Sequence, residues 1–148
     1  PDPKMFYGFS TNINYRKWSA AFSMRANVGN YVYNQAATNG AISKFLFSTF
    51  LENESSDVLN TNFKGIGDFY QSSYYIQNAS FLKMDYLNIG YNLGRLHNSG
   101  VGLRFNAGVQ NVFTITKYKG IDPEIEGGVD NNQYPRPRTF LLGVSVDF

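Results

Sequence analysis

Arg138-Thr-Phe-Leu-Leu-Gly-Val-Ser-Val-Asp-Phe148 is the stretch on which the reading of this chain turns. Phe140, Leu142, Val144, Val146 and Phe148 fall on one face of an extended strand. Thr139, Gly143, Ser145 and Asp147 fall on the other, with Leu141 the apolar exception. Side chains of a strand alternate between two faces, so this segment has an oily side and a small, polar side. Such a segment suits a wall between lipid and water.

The same alternation recurs upstream. Met5, Tyr7, Phe9, Thr11, Ile13 and Tyr15 oppose Phe6, Gly8, Ser10, Asn12 and Asn14. After a short turn at Arg16-Lys17, Trp18, Ala20, Phe22, Met24, Ala26 and Val28 oppose Ser19, Ala21, Ser23, Arg25, Asn27 and Gly29. The two runs predict a hairpin, with its second strand extended through Tyr31 and Tyr33. A third strand is expected over residues 74–93. Its oily positions change phase at Tyr86-Leu87; a β-bulge is one explanation, and an upper part that stands outside the lipid is the other. A fourth runs from Val101 to about Tyr118, with Leu103, Phe105, Ala107 and Val109 opposing Arg104, Asn106, Gly108 and Gln110. Within the strand cores the charges of Arg25, Arg104 and Asp147 sit opposite the oily face. A charge turned to mid-bilayer lipid costs roughly 2–4 kcal/mol, which accounts for that segregation.

Between the strands, residues 34–73 and 117–137 are long connections, whereas 16–17 and 94–100 are short. Short periplasmic turns and long outer loops alternate in this way in outer-membrane barrels. If Phe148 is periplasmic, both long connections are extracellular. Ile42, Phe45, Leu46, Phe50 and Leu51 recur at helical spacing, so the first is expected to carry a short amphipathic helix. Tyr15, Trp18, Tyr91 and Phe148 would make the periplasmic aromatic girdle, and Phe6, Tyr7, Tyr31 and Tyr33 the outer one.

Composition bounds the alternatives. The 148 residues suit one domain; only 16% are charged, 17% are aromatic, and the net charge is +2. Basic residues are scattered, which argues against nucleic acid. Cysteine is absent. No apolar run is long enough for a membrane helix, but a barrel hides its lipid face by alternation. The chain begins Pro1-Asp-Pro3 without an initiator Met or signal peptide. An outer-membrane protein must be exported, so the chain is expected to be a piece of a longer precursor. Single-chain bacterial barrels have even strand counts from about eight upward. Five strands would leave open edges in lipid, so a larger barrel is expected to continue them. The competing architecture is a soluble antiparallel sandwich, which also alternates. Its wet face would be rich in Lys, Glu and Thr, whereas this one is Gly, Ser and Asn.

No catalytic set is visible, and no enzyme activity, cofactor or metal is expected. His97 is the only histidine. Asp122-Pro-Glu124 with Glu126 and Asp130 is dense in oxygen ligands, but Asp-Pro favours turn chemistry over a calcium site. Gly65-Ile-Gly67 is too short for a phosphate loop. Asn53-Glu-Ser55 and Asn78-Ala-Ser80 match a glycosylation pattern without special meaning in a bacterial surface protein.

Family resemblance enters through longer blocks. A C-terminal Phe closing such a strand resembles the assembly signal of outer-membrane barrels. Asp2-Pro-Lys-Met-Phe-Tyr-Gly-Phe-Ser10, Asn78-Ala-Ser-Phe-Leu-Lys-Met-Asp-Tyr-Leu-Asn-Ile-Gly-Tyr91, Gly108-Val-Gln-Asn-Val-Phe-Thr-Ile-Thr-Lys-Tyr-Lys-Gly-Ile-Asp-Pro-Glu124 and Tyr134-Pro-Arg-Pro-Arg-Thr-Phe140 resemble, in order, the C-terminal end of SusC/RagA-type TonB-dependent transporters. The resemblance implies an all-β, antiparallel transmembrane β-barrel segment, the last five strands of about 22. Residues 1–148 would be the C-terminal portion of the barrel domain, with the plug and earlier strands absent. It further implies uptake of oligosaccharides or peptides, energised by TonB through that plug, with a SusD-like surface lipoprotein as lid. A siderophore or cobalamin receptor, or a structural or adhesive β-protein, is the alternative.

On this reading Tyr15, Trp18, Phe22, Tyr91, Phe105, Phe140 and Phe148 are candidates for the lipid face. Arg25, Arg104 and Asp147 are candidates for the lumen, where Arg25 and Arg104 would pair with a carboxylate such as Asp147. Tyr70, Tyr74, Tyr75, Asp122, Glu124 and Tyr134 are candidates for loop contacts to substrate or partner.

Overall fold

The computed structural model describes residues 2–41, 72–96, 100–131 and 134–148. In chain order the elements are β1 (Met5–Tyr15), β2 (Trp18–Val28), β3 (Tyr31–Asn34), α1 (Gln35–Ala41), β4 (Ile76–Asn78), β5 (Phe81–Arg95), β6 (Gly102–Thr116), β7 (Val129–Asp130) and β8 (Thr139–Asp147). They fall into two compact units.

The first unit, Met5–Val28, Phe81–Thr116 and Arg136–Phe148, is a five-stranded sheet in the order β1-β2-β5-β6-β8. Every neighbouring pair is antiparallel. The five long strands expected from the sequence are these five. β1 is bonded only to β2, and β8 only to β6, so the sheet has two open edges among the described residues. A tight hairpin joins β1 to β2: Tyr15 pairs with Trp18, and Arg16 takes φ 54° in the two-residue turn. The turn is tied to β5 through Asn92 N–H to the Lys17 carbonyl (2.8 Å) and Lys17 Nζ to the Leu93 carbonyl (3.0 Å).

Register carries the two-faced pattern across the whole sheet. Ile13, Ala20, Ile89, Ala107 and Leu142 form one cross-strand row. Asn14, Ser19, Gly90, Asn106 and Gly143 form the row beside it on the opposite face. A slip of one residue between any two strands would interleave the two chemistries, so the faces and the register support each other.

The phase change in the third long strand is a bulge. Ser23 pairs with Tyr86 but Met24 pairs with Met84, leaving Asp85 as the extra residue against β2. Across the other edge, Met84 pairs with Phe113 and Tyr86 with Gln110, so β6 carries one residue more than β5 at Asn111-Val112. Asn111 absorbs it with φ 54°, a conformation that Asn tolerates better than most residues. Its amide Nδ2 donates to the carbonyls of Arg136 (2.9 Å) and Pro137 (3.4 Å), fastening the approach to β8. Beyond both bulges the oily rows resume as Phe9, Met24, Met84 and Phe113.

The second unit, Pro1–Lys4, Gly29–Ser80 and Lys117–Pro135, carries a small sheet in the order β4-β3-β7. β3 runs antiparallel to β4 and parallel to β7. Val32, Ala79 and Tyr118 form its buried cluster, with Ile125 against it. The second long connection, expected as a loop, thus contributes β7, which pairs with β3 from the end of the expected second strand.

Two expectations change here. The second strand does not continue through Tyr31 and Tyr33: Gly29, at φ 82°, breaks it, and those tyrosines belong to β3. The third strand does not begin at Tyr74. A 3-10 turn at Ser73–Tyr75 and the separate strand β4 precede it. The Asn78 side chain takes the Ser80 amide (2.9 Å) and the Asn30 carbonyl takes the Ala79 amide (2.9 Å), so the ladder to β2 begins only at Phe81. A helix is present at Gln35–Ala41, where Asn34 Oδ1 accepts from the Ala37 amide (2.8 Å) as a helix cap does. The helix expected over 42–51, like Gly65-Ile-Gly67, Asn53-Glu-Ser55, Tyr70 and His97, lies outside the described residues.

Candidate functional site

The candidate functional surface is the pair of sheet faces of the first unit, and the loop unit is described by itself. On the oily face, Tyr15, Trp18, Tyr91, Phe105 and Val144 make one continuous row. The Trp18 and Tyr91 rings lie 4.6 Å apart at 51°, within the range of favourable tilted aromatic pairs. Phe22 and Phe140 share the row Thr11, Phe22, Leu87, Val109 and Phe140. Phe9 and Phe22 pack at 5.8 Å. Six of the seven aromatics singled out from the sequence therefore share one face by register. Phe148 lies just past β8 and is fully exposed. Large apolar side chains remain open to solvent along this face: Leu142 is 90% exposed and Phe140 is 71%. A sheet face this apolar and this bare needs a non-aqueous neighbour.

The opposite face is built from amides, hydroxyls and glycines. Asn12, Asn14, Ser19, Asn88, Gly90, Asn106 and Gly108 border a shallow concavity of about 610 Å³. Glycine at its floor leaves room for these side chains. A Cβ on Gly90 would collide with Ser19 Oγ and stand 3.1 Å from Asn106 Oδ1. One on Gly108 would stand 2.5 Å from Asn88 Oδ1. The amides thus lie flat across backbone, leaving a neutral, hydrogen-bonding surface.

Charge on this face concentrates at the bulge. Arg25 and Lys83 are direct cross-strand partners. Asp85 answers Arg25, whose Nε donates to both its carboxylate oxygens, at 3.0 and 2.9 Å. The bulge aligns Asp85 for this pairing, because regular alternation could not place both Asp85 and Tyr86 on one side. Arg25 and Asp147 lie towards opposite ends of the sheet and do not pair. Arg104 is opposite Ser145, and Asp147 opposite Gly102. Asp85 was the partner that sequence reading missed; the phase slip at Tyr86-Leu87 was its only signal.

In the loop unit, Tyr118 donates to Asp130 Oδ2 at 2.6 Å, with both residues buried. Burial, and then the hydrogen bond and negative charge of Asp130, push the Tyr118 phenol well above its usual range. Thr38, wholly buried, donates to the Asn34 carbonyl (3.0 Å) or to the Tyr33 hydroxyl (3.1 Å). Tyr75 is 1% exposed and packs inside, edge-on to the half-exposed Tyr74 at 5.1 Å, so it offers no surface to a solute. Asp122 Oδ1 accepts from the Glu124 amide (3.0 Å), which is turn chemistry. Tyr134 is 92% exposed. Among the described residues no three His, Cys, Asp or Glu side chains gather as metal ligands, and no helix is long and apolar enough to cross a membrane.

No protein-family model matches the chain. Across its full length it is 40% identical to the TonB-dependent receptor SusC of Bacteroides thetaiotaomicron, covering 15% of that protein. It is 25% identical, again over its full length, to the TonB-dependent receptor P26 of Formosa agariphila, covering 17% of it. Among solved structures it resembles the RagAB peptide transporter with a TM-score of 0.76 and 27% identity, over 95% of this chain and 17% of that one. The RagAB peptide importer in its open-open state aligns over 99% of the chain with a TM-score of 0.69. These relatives are outer-membrane receptors and transporters, and the kinship is not with enzymes. The chain belongs to the SusC/RagA-type TonB-dependent receptors and spans about 15–17% of the length of the relatives it matches.

Proposed function

We propose that this chain is the C-terminal part of the barrel wall of an outer-membrane nutrient importer. Its oily face meets lipid, its amide and glycine face lines the lumen or meets a plug, and its loop unit stands on the cell exterior. The observation that carries this reading is the agreement of register and chemistry. All five strands keep apolar rows on one side and polar rows on the other, through register shifts that would otherwise scramble them. A wall of this kind holds solute and lipid apart. On the same reading, import is energised by TonB through a plug outside this chain, and a SusD-like lipoprotein closes the outer mouth.

The likeness to a peptide transporter favours peptides as cargo, and the family resemblance of the sequence keeps oligosaccharides beside them. The neutral amide face suits either, since both present hydroxyl or amide groups and need no fixed charge. The test is growth and uptake by a strain carrying the full-length receptor. Deleting the receptor should abolish binding and import of one class, peptide or oligosaccharide, and spare the other. Import of iron chelates or cobalamin instead would transfer the chain to the alternative receptor type. An unchanged strain whose protein stays soluble without detergent would remove the transport reading altogether.

A further inference from the structure

β8 adopts a register that its own side chains do not select. Phe140, Leu142, Val144, Val146 and Phe148 recur at every second position, so sliding β8 by two residues along β6 keeps each of them on the apolar face. One such slide would set Gly143 against Gly108, Ser145 against Asn106 and Asp147 against Arg104. Opposite charges directly across two strands attract. The structure instead sets Arg104 against Ser145 and Asp147 against Gly102. Both charged residues are exposed, and neither forms an ion pair among the described residues. Face chemistry is indifferent to the slide and charge favours it, so another group must hold the register.

That group stands where β8 begins. Asn111 follows the first paired position, Gln110 with Thr139, and takes φ 54°. Its Nδ2 donates to the carbonyls of Arg136 (2.9 Å) and Pro137 (3.4 Å), and Arg138 Nε donates to the Asn111 carbonyl (3.4 Å). All of these residues belong to the five-stranded unit. The slide that joins Arg104 to Asp147 would carry residues 136–138 about 7 Å past Asn111 and break all three contacts. The opposite slide would bring Pro137 against Gln110, and proline has no N–H to give to a ladder.

We propose that Asn111 is the register stop of β8, a positioning residue that holds Arg104 and Asp147 out of direct opposition and leaves both charges open on the amide face. Asparagine suits the task on two counts: it tolerates a positive φ, and its short side chain ends in a donor. Aspartate would tolerate the φ but offer only acceptors to two carbonyls. Glycine would tolerate the φ and offer nothing. The inference does not depend on which face of the sheet meets lipid.

The test is disulfide trapping in the full-length receptor with no other cysteine present. Asn106→Cys with Gly143→Cys reports the observed register, because the two are direct partners and a Cβ on Gly143 meets nothing within 4 Å. Asn106→Cys with Ser145→Cys reports the slide, because diagonal positions lie about 7–8 Å apart, beyond ordinary disulfide reach. With Asn111 in place the first pair should be trapped and the second should not. Asn111→Asp should raise the share of the second pair about tenfold, as the loss of two hydrogen bonds implies. Adding Asp147→Asn should restore the first pair, since it removes the attraction that drives the slide; a merely loosened β8 would not respond in this way. Heat-modifiable gel mobility shows that each variant has folded, and Asn111→Gly takes the place of Asn111→Asp if that control fails. An unchanged trapping pattern in the folded variant overturns the proposal. Ready trapping of the second pair with Asn111 in place overturns it too, as does a slide that Asp147→Asn fails to reverse.

Discussion

Arg25 and Asp85, sixty positions apart in sequence, meet across β2 and β5 because Asp85 is the extra residue of a bulge. Had the strand stayed regular, either this pair or the oily row beyond it would have been lost. One irregularity therefore preserves the apolar row and supplies the counter-charge of Arg25.

Asp85→Asn should lower the stability of the receptor by about 1 kcal/mol, since both partners are about a third exposed and screening limits the pair. It also leaves Arg25 directly opposite Lys83, and like charges across strands are unfavourable. Urea unfolding of Asp85→Asn, Arg25→Met and the double variant in micelles measures the coupling. Strict additivity of the two single changes would show that the pair contributes nothing.

Val109 and Gln110 are sequence neighbours on opposite faces. Val109→Arg should cost roughly 2–4 kcal/mol and impair assembly in the membrane, while Gln110→Arg should be tolerated. The yield of heat-modifiable receptor in outer-membrane fractions reports both. Equal yields would mean that the Val109 face does not meet lipid.

Gly108→Ala should cost about 1–3 kcal/mol, because its Cβ meets the Asn88 amide and forces it from its place. Gly8→Ala, with nothing within 4 Å, should change stability by no more than about 0.5 kcal/mol. Melting temperatures of the two variants settle the comparison. A larger shift for Gly8→Ala would show that something absent from this chain packs against β1.

Tyr118 links its loop to a pH dependence. Its phenol is raised from 10.0 in the folded state, so the folded loop holds a proton that the unfolded chain releases. The linked stability is fully present below about pH 10 and declines as pH rises above it. Tyr118→Phe should remove this alkaline dependence and cost about 1–3 kcal/mol at neutral pH through the lost bond to Asp130. Amide hydrogen exchange of residues 117–131 at neutral and alkaline pH follows the effect. A wild-type loop insensitive to alkali would place Tyr118 outside the linkage.

The faces were legible in the sequence because strand alternation is local: Phe140, Leu142 and Val144 announce one side without knowledge of any neighbour. Even the bulge left a trace, as two apolar residues in succession at Tyr86-Leu87. The loops were not legible. Val32 finds Ala79 and Tyr118 through contacts that span much of the chain, and no short-range period marks such a core. The break at Gly29 did leave a trace, since the apolar positions of β2 are even-numbered up to Val28 whereas Tyr31 and Tyr33 are odd-numbered and belong to another sheet.

By itself, then, the sequence determined five two-faced strands, their turns and the segregation of charge from oil, all of which follow from the period of an extended chain. Only the tertiary structure decided which carboxylate answers Arg25 and where Tyr75 is buried. Those depend on register between strands distant in sequence, and register is a property of pairing that no single strand carries.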